Sequence, residues 1–274
     1  MTNTVRFNVL GPVRAWREGA ELDLGSPQQR AVLAVLLFHG GALVTLDELV
    51  AAIWDDEPPR TAVGTTRTYV HRLRRVLERD PGKPTLLRSA GGGYAINSRT
   101  VDLHDFQQRL DAAAVAEHAG RAAQAAEELD QALAMWNGPA LAGVPGRYAE
   151  AQRARLAEVR LTTMERRQEI AIALGHHRDA VPELTALVGE HPFRERARQL
   201  LMLALAGSGR RADALAVFRD AHRLLADEFG VEPGPELQRI HREILDGEAP
   251  GPTPGAGQRS TAVRRRADLA GRAA

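Results

Sequence analysis

The chain opens with short runs in which apolar and polar side chains alternate. Val5 to Leu10, Val13 to Trp16 and Leu22 to Leu24 follow this pattern, with Gly11-Pro12 and Glu18-Gly19 between them. Three short strands are predicted. The period then changes to that of a helix. Ser26 precedes Pro27, and Gln29 stands three residues on, so a helix opening with a capping box is predicted as far as His39, where Gly40-Gly41 stops it. Thr45 with Glu48 repeats the signature and opens a second helix through Ile53 and Trp54, which Pro58-Pro59 ends.

A third helix is predicted from Ala62 to Arg79. At about 100° per residue, Thr66, Tyr69, Val70, Leu73, Val76 and Leu77 share one face. Gly64, Arg67, Thr68, His71 and Arg75 share the other, with Arg72 and Arg74 at its edges. A helix held to a core by the first face presents guanidinium, hydroxyl and imidazole groups on the second. Leu86 to Ala90 and Tyr94 to Asn97 then read as two strands joined by Gly91-Gly92-Gly93. Strands, three helices and a terminal hairpin, with the last helix the most basic, describe a winged helix.

From Val101 to Gly247 the spacing is helical almost throughout, as in Leu103, Phe106, Leu110 and Leu129, Leu133, Trp136. Gly175, Asp179 and Ala180 return as Gly209, Asp213 and Ala214, each 34 residues later, the period of tetratricopeptide helix pairs. A stacked helical array is the reading. After Gly247 the chain turns Pro/Gly-rich and then basic at Arg264-Arg265-Arg266, a linker or tail. The predicted organisation is a winged-helix DNA-binding domain over 1–100, a helical domain over 101–247 and the tail over 248–274.

Composition narrows the classes. The chain has 274 residues, enough for two cores, and 44% hydrophobic with 26% charged residues is ordinary globular composition. No apolar run reaches membrane-spanning length and residues 1–10 carry no signal-peptide core, so a cytoplasmic protein is expected. With no cysteine, disulfide and thiolate chemistry are excluded. The net charge of +1 conceals a segregation: residues 1–100 hold 13 Lys/Arg against 10 Asp/Glu, and residues 101–250 hold 18 against 24. Within residues 60–100, Arg60, Arg67, Arg72, Arg74, Arg75, Arg79, Lys83, Arg88 and Arg99 stand against only Glu78 and Asp80. That concentration is an electrostatic footprint for nucleic acid.

Major-groove readout needs arginines for guanine edges and phosphates, with hydroxyls and small groups between them. Arg67, Thr68, His71, Arg72, Arg74 and Arg75 supply these, and Gly64 lets the start of the helix approach DNA closely. On the hairpin, Arg88 and Ser89 reach phosphates or the minor groove. The three glycines are not a phosphate cradle, since no Lys-Ser/Thr pair and no helix follow. His176-His177, His191, His222 and His241 lack ligand spacing, no nucleophile elbow or H-E-x-x-H string occurs, and neither cofactor, metal nor catalysis is expected. A helical-repeat scaffold that binds proteins and reads no DNA sequence is the alternative these residues leave open.

The stretches RFNVLGPVRAW (6–16), VHRLRRVLERD (70–80), LLRSAGGGYAI (86–96) and EFGVEPGPELQRIHREIL (228–245) resemble the Streptomyces antibiotic regulatory protein family, in particular the N-terminal part of its AfsR-like members. The resemblance covers nearly all of residues 5–247. It implies an α+β, OmpR-type winged helix joined to an all-α, tetratricopeptide-like bacterial transcriptional activation domain. It implies a transcriptional activator of secondary-metabolite (antibiotic) genes, with two protomers head to tail on direct repeats in double-stranded DNA and contacts to RNA polymerase and its sigma factor. The DNA contacts it implies fall on Thr65, Thr68, His71, Arg72, Arg74 and Arg88. It also turns the loop of Asp55, Asp56, Glu57 and Arg60 toward the polymerase, which suits a segment whose acids are ill placed against phosphates and whose prolines stiffen it. One departure is Ala90, where several relatives carry arginine before the wing glycines. Larger relatives continue into an ATPase module, which the open basic tail permits.

Overall fold

The computed structural model describes residues 5–55, 57–98 and 100–247. Its first element is a meander of three antiparallel strands, β1 (Val5–Asn8), β2 (Arg14–Arg17) and β3 (Ala20–Glu21). The register Phe7↔Ala15 puts Val5, Phe7 and Ala15 on the buried face, each at most 2% exposed. The third strand lies earlier than the expected Leu22 to Leu24. A two-residue turn at Glu18-Gly19, both at positive φ, brings the chain straight back at Ala20, where Arg17 pairs with Ala20 and Trp16 with Glu21.

Helix α1 (Pro27–Phe38) is the central element, with every residue from Ala31 to Leu37 buried. Wholly burying side chains such as Leu33 and Leu36 stabilises the fold by about 1.5 to 3 kcal/mol each. Its expected capping box is half formed. Ser26 Oγ accepts from Gln29 N at 3.3 Å, but the Gln29 side chain lies buried against Gly25 instead of returning to the cap. At α2 (Leu46–Trp54) the box is complete: Glu48 N donates to Thr45 Oγ1 at 3.2 Å and Thr45 N donates to Glu48 Oε2 at 2.7 Å. Its two hydrogen bonds from Thr45, one backbone and one side-chain, hold the Glu48 carboxyl below the usual carboxylate range. Helix α3 (Ala62–Leu77) packs on α1 and α2.

A second sheet, in the order β4-β6-β5, closes this part of the chain. Its members are β4 (Val44–Thr45), β5 (Leu87–Ala90) and β6 (Gly93–Ile96), of which β4 has no counterpart in the sequence pattern. Helices α4 (Asp102–His118) and α5 (Ala122–Leu133) pair as a hairpin, and α4 also meets β1. Asp102, 7% exposed, joins them: its carboxylate accepts from Val9 N at 2.9 and 3.0 Å and from Leu10 N at 3.0 Å. Burial nevertheless raises this carboxyl above its ordinary value, outweighing the N–H bonds.

By internal contacts the chain divides into two compact units, one ending at Met164 and the other beginning at Glu165. The division falls inside the long helix α6 (Arg147–Ala173). In the second unit, α7 (His177–Glu190), α8 (Glu195–Gly207), α9 (Arg211–Phe229) and α10 (Pro235–Asp246) pack each against its neighbours, α10 also against α8. The 34-residue spacing is visible here. Gly175 and Gly209 take φ 85° and 83° in the turns before α7 and α9, and Ala180 and Ala214 are both 0% exposed. Glu165, 5% exposed, receives the Arg194 guanidinium through Nε at 2.9 Å and Nη2 at 3.0 Å, a two-point ion pair. The expected tail lies outside the described residues, as do Asp56 and Arg99.

Candidate nucleic-acid interface

Helix α3 forms after the rigid Pro58-Pro59 pair, and Ala62 N donates to Pro59 O at 2.8 Å in place of a side-chain cap. Ala62, Thr66, Val70, Leu73 and Leu77 are buried, and Tyr69 stacks on Trp54 with ring centroids 6.5 Å apart. The opposite side is solvent-facing: Arg67, Thr68, His71, Arg72 and Arg75 are all exposed, Thr65 is half-buried and Gly64 is open. Among the described residues, no acidic side chain forms an ion pair with Arg67, Arg72 or Arg75, so these cations are held only by their helix. Arg74 and Arg75 in the last turn also suit the negative end of the helix dipole. The Thr68 hydroxyl donates back to Gly64 O at 3.0 Å, which leaves its lone pairs outward.

The wing is fixed by geometry that sequence spacing only partly reveals. Gly91 and Gly92 form its two-residue tip at φ 49° and 85°, the positive values that a hairpin turn of this length demands. Gly93 answers a different requirement, because a Cβ there would sit 2.1 Å from Val44 O on β4. Arg88, Ser89 and Ala90 on β5 are exposed, and Arg88 makes no ion pair among the described residues.

Three side chains bind the C-terminal end of α3 to its surroundings. Arg17 of β2 donates through Nη2 to Leu77 O at 2.6 Å and Val76 O at 3.2 Å, satisfying carbonyls the helix leaves open. Glu78, 4% exposed, accepts from Leu87 N at 2.7 Å, Leu86 N at 2.8 Å and Thr85 N at 3.1 Å. Arg74 donates through Nε to Leu87 O at 2.9 Å and through Nη2 to Ser89 Oγ at 2.8 Å, with its guanidinium over the Tyr94 ring. Helical spacing alone places Arg74 beside Arg72 as a groove-edge cation. In the folded chain one edge of its fork is turned to the wing. Nothing in the sequence signals this role for Arg17 or Glu78, since their partners are backbone groups brought together by tertiary structure.

The loop before α3 divides likewise. Glu57, Pro58, Pro59 and Arg60 are exposed, whereas Asp55 is half-buried at φ 54° and accepts from Arg147 N, at the start of α6, at 3.1 Å. Asp56 lies outside the described residues. Among the described residues, no three His, Asp or Glu side chains gather as a metal site, and no helix is long and apolar enough to cross a membrane.

Comparison with known proteins settles the family. The model for the bacterial transcriptional activator domain matches residues 101–245, and that for the C-terminal domain of transcriptional regulatory proteins matches residues 19–96. The chain is 50% identical to the regulatory protein AfsR of Streptomyces coelicolor over 250 residues, and 32% identical to DnrI of Streptomyces peucetius, spanning 92% of the latter. The chain belongs to the Streptomyces antibiotic regulatory protein family. Its fold joins an OmpR-type winged helix to the activator domain that follows it in the chain. The match to AfsR takes in 90% of this family member but only 25% of AfsR, so the chain spans about a quarter of that relative's length. The solved structure of Mycobacterium tuberculosis EmbR, in complex with a low-affinity phosphopeptide, superposes with a TM-score of 0.85 at 33% identity. The match covers 97% of this chain and 70% of that one.

Proposed function

We propose that this chain is an activator that binds double-stranded DNA by sequence, with α3 in the major groove and the wing against the backbone or minor groove. The observation that carries the reading is the row of exposed Arg67, Thr68, His71, Arg72 and Arg75 on α3, its cations unpaired among the described residues, with exposed Arg88 beside it. Arg72 and Arg67 are the arginines suited to guanine edges, while Thr65, Thr68 and His71 meet phosphates and base edges and Arg75 and Arg88 meet the backbone. Arg74 and Ser89 border the same surface. Two protomers bind head to tail on direct repeats, and the regulated genes belong to secondary metabolism, as the family membership suggests.

Contact with RNA polymerase and its sigma factor falls to the exposed Glu57 and Arg60 of the loop before α3, with Asp55 shaping the loop from its half-buried place. Changing Glu57 and Arg60 to Ala, and sparing Asp55, lowers transcription from a reconstituted promoter without lowering operator occupancy. For the DNA reading the test is a salt titration of binding to operator and random duplexes. A chain neutralising about five phosphates gives a log-log slope of about −4.5, with operator binding at least about a thousandfold tighter than random. Equal affinity for both duplexes at every salt concentration overturns it.

A further inference from the structure

The Leu87 peptide is gripped on both sides from the end of the recognition helix. Its N–H donates to Glu78 Oε1 at 2.7 Å and its C=O accepts from Arg74 Nε at 2.9 Å. The neighbouring residues are held as well, Leu86 through its N–H by the same Glu78 oxygen and Ser89 through its side-chain Oγ by Arg74 Nη2. Arg88 therefore projects from between two anchored residues. The two groups doing the anchoring sit one helical turn apart, Arg74 in the last turn of α3 and Glu78 at its C-cap.

We infer that Arg74 and Glu78 are positioning residues that fix the span between the groove-facing side of α3 and Arg88, and so make the wing contact part of sequence discrimination. The inference rests on the proposed DNA reading. A wing on a slack loop would let Arg88 follow whichever phosphate lay near, giving affinity without preference. A wing clamped to α3 brings Arg88 to one fixed offset from the bases that α3 meets. Duplexes whose groove shape presents a phosphate or minor-groove edge at that offset are favoured, so sequence is read through duplex shape as well as through base edges. Burial strengthens the clamp: Glu78 is 4% exposed and each of its oxygens accepts at least two hydrogen bonds, so it has no alternative partner in solvent. The guanidinium of Arg74 lies over Tyr94 of β6, so one side chain braces both strands of the hairpin.

The test compares wild-type chain with Arg74→Lys and Glu78→Gln on one operator, using two chemical probes. Methylation interference at guanine N7 reports α3 in the major groove, and hydroxyl-radical protection reports the wing from the minor-groove side. Arg74→Lys keeps the charge on a half-exposed side chain and removes the fork, so it folds. It retains the guanine interference pattern, loses the wing protection and binds the operator about tenfold more weakly, with binding to random duplex nearly unchanged. Glu78→Gln, compared at a temperature where its circular dichroism matches wild type, gives the same split. Loss of one guanine contact in Arg74→Lys with the wing protection intact makes Arg74 a base reader and overturns the inference. Unaltered patterns in both variants also overturn it. Failure of the wild-type chain to give either pattern instead strikes the DNA reading itself.

Discussion

Gly64 is the third residue of α3 and lies on its exposed side, where a methyl group in place of its hydrogen would meet nothing within 4 Å. Its φ is not positive, so neither backbone conformation nor packing in the free chain calls for glycine. Gly64→Ala therefore lowers the entropy of the unfolded chain at no steric cost. Near a helix start the gain is about 0.5 to 1 kcal/mol, which raises the melting temperature by about 1 to 4 °C in a chain of this size. In the DNA complex the sign reverses. If the start of α3 meets the groove wall with its backbone, the added methyl costs about 1 to 3 kcal/mol, about 5- to 150-fold in Kd. Differential scanning calorimetry and fluorescence anisotropy on an operator duplex measure the two effects on the same sample. A variant that is more stable and binds as tightly as wild type refutes the close approach. A variant that is less stable refutes the view that the glycine is unneeded inside the chain.

Two further outcomes follow from the buried contacts. Gly93→Ala forces a methyl to within 2.1 Å of Val44 O, so β4 must separate from β6; wing protection in a footprint disappears and the melting temperature falls by several degrees, about 2 to 4 °C per kcal/mol of strain. Asp102 has its carboxyl raised above the ordinary value of 3.8 by burial, so over the pH range just above that value the folded chain keeps a proton that the unfolded chain has lost; its contribution to stability is full at lower pH and declines as pH rises through the folded value. Urea midpoints of wild type and Asp102→Asn, compared between pH 4 and 7, show this decline in wild type alone.

The facing of α3 is legible in the sequence because it depends on one period: Thr66, Val70, Leu73 and Leu77 are buried and Arg67, Thr68, His71, Arg72 and Arg75 are exposed, as spacing predicts. The cap at Thr45 is legible because its partners lie within three residues. Strand β4 is not, since two residues carry no alternation and Val44 becomes a strand only when Tyr94, fifty positions on, pairs with it. The third strand is misplaced by the pattern for a related reason. Leu22 to Leu24 look apolar because Leu24 is buried in the core, while pairing is set by the turn before Ala20. Glu78 stands out in sequence only as an acid in a basic stretch, and its meaning depends on three N–H groups that the chain delivers after seven or more further residues.

Thr45 holds two structural posts at once, pairing with Gly93 beside the wing and capping α2. The wing's attachment is thereby written into Thr45, Gly93, Glu78 and Leu87, all of which face inward or bond to backbone, whereas Arg88 and Ala90 face solvent and hold nothing in place. On the proposed DNA reading, drift at Arg88 and Ala90 alters which operator the wing favours while the scaffold stays as it is. If that reading holds, two surface positions suffice for a new target preference, and no unfolded ancestor lies on the path.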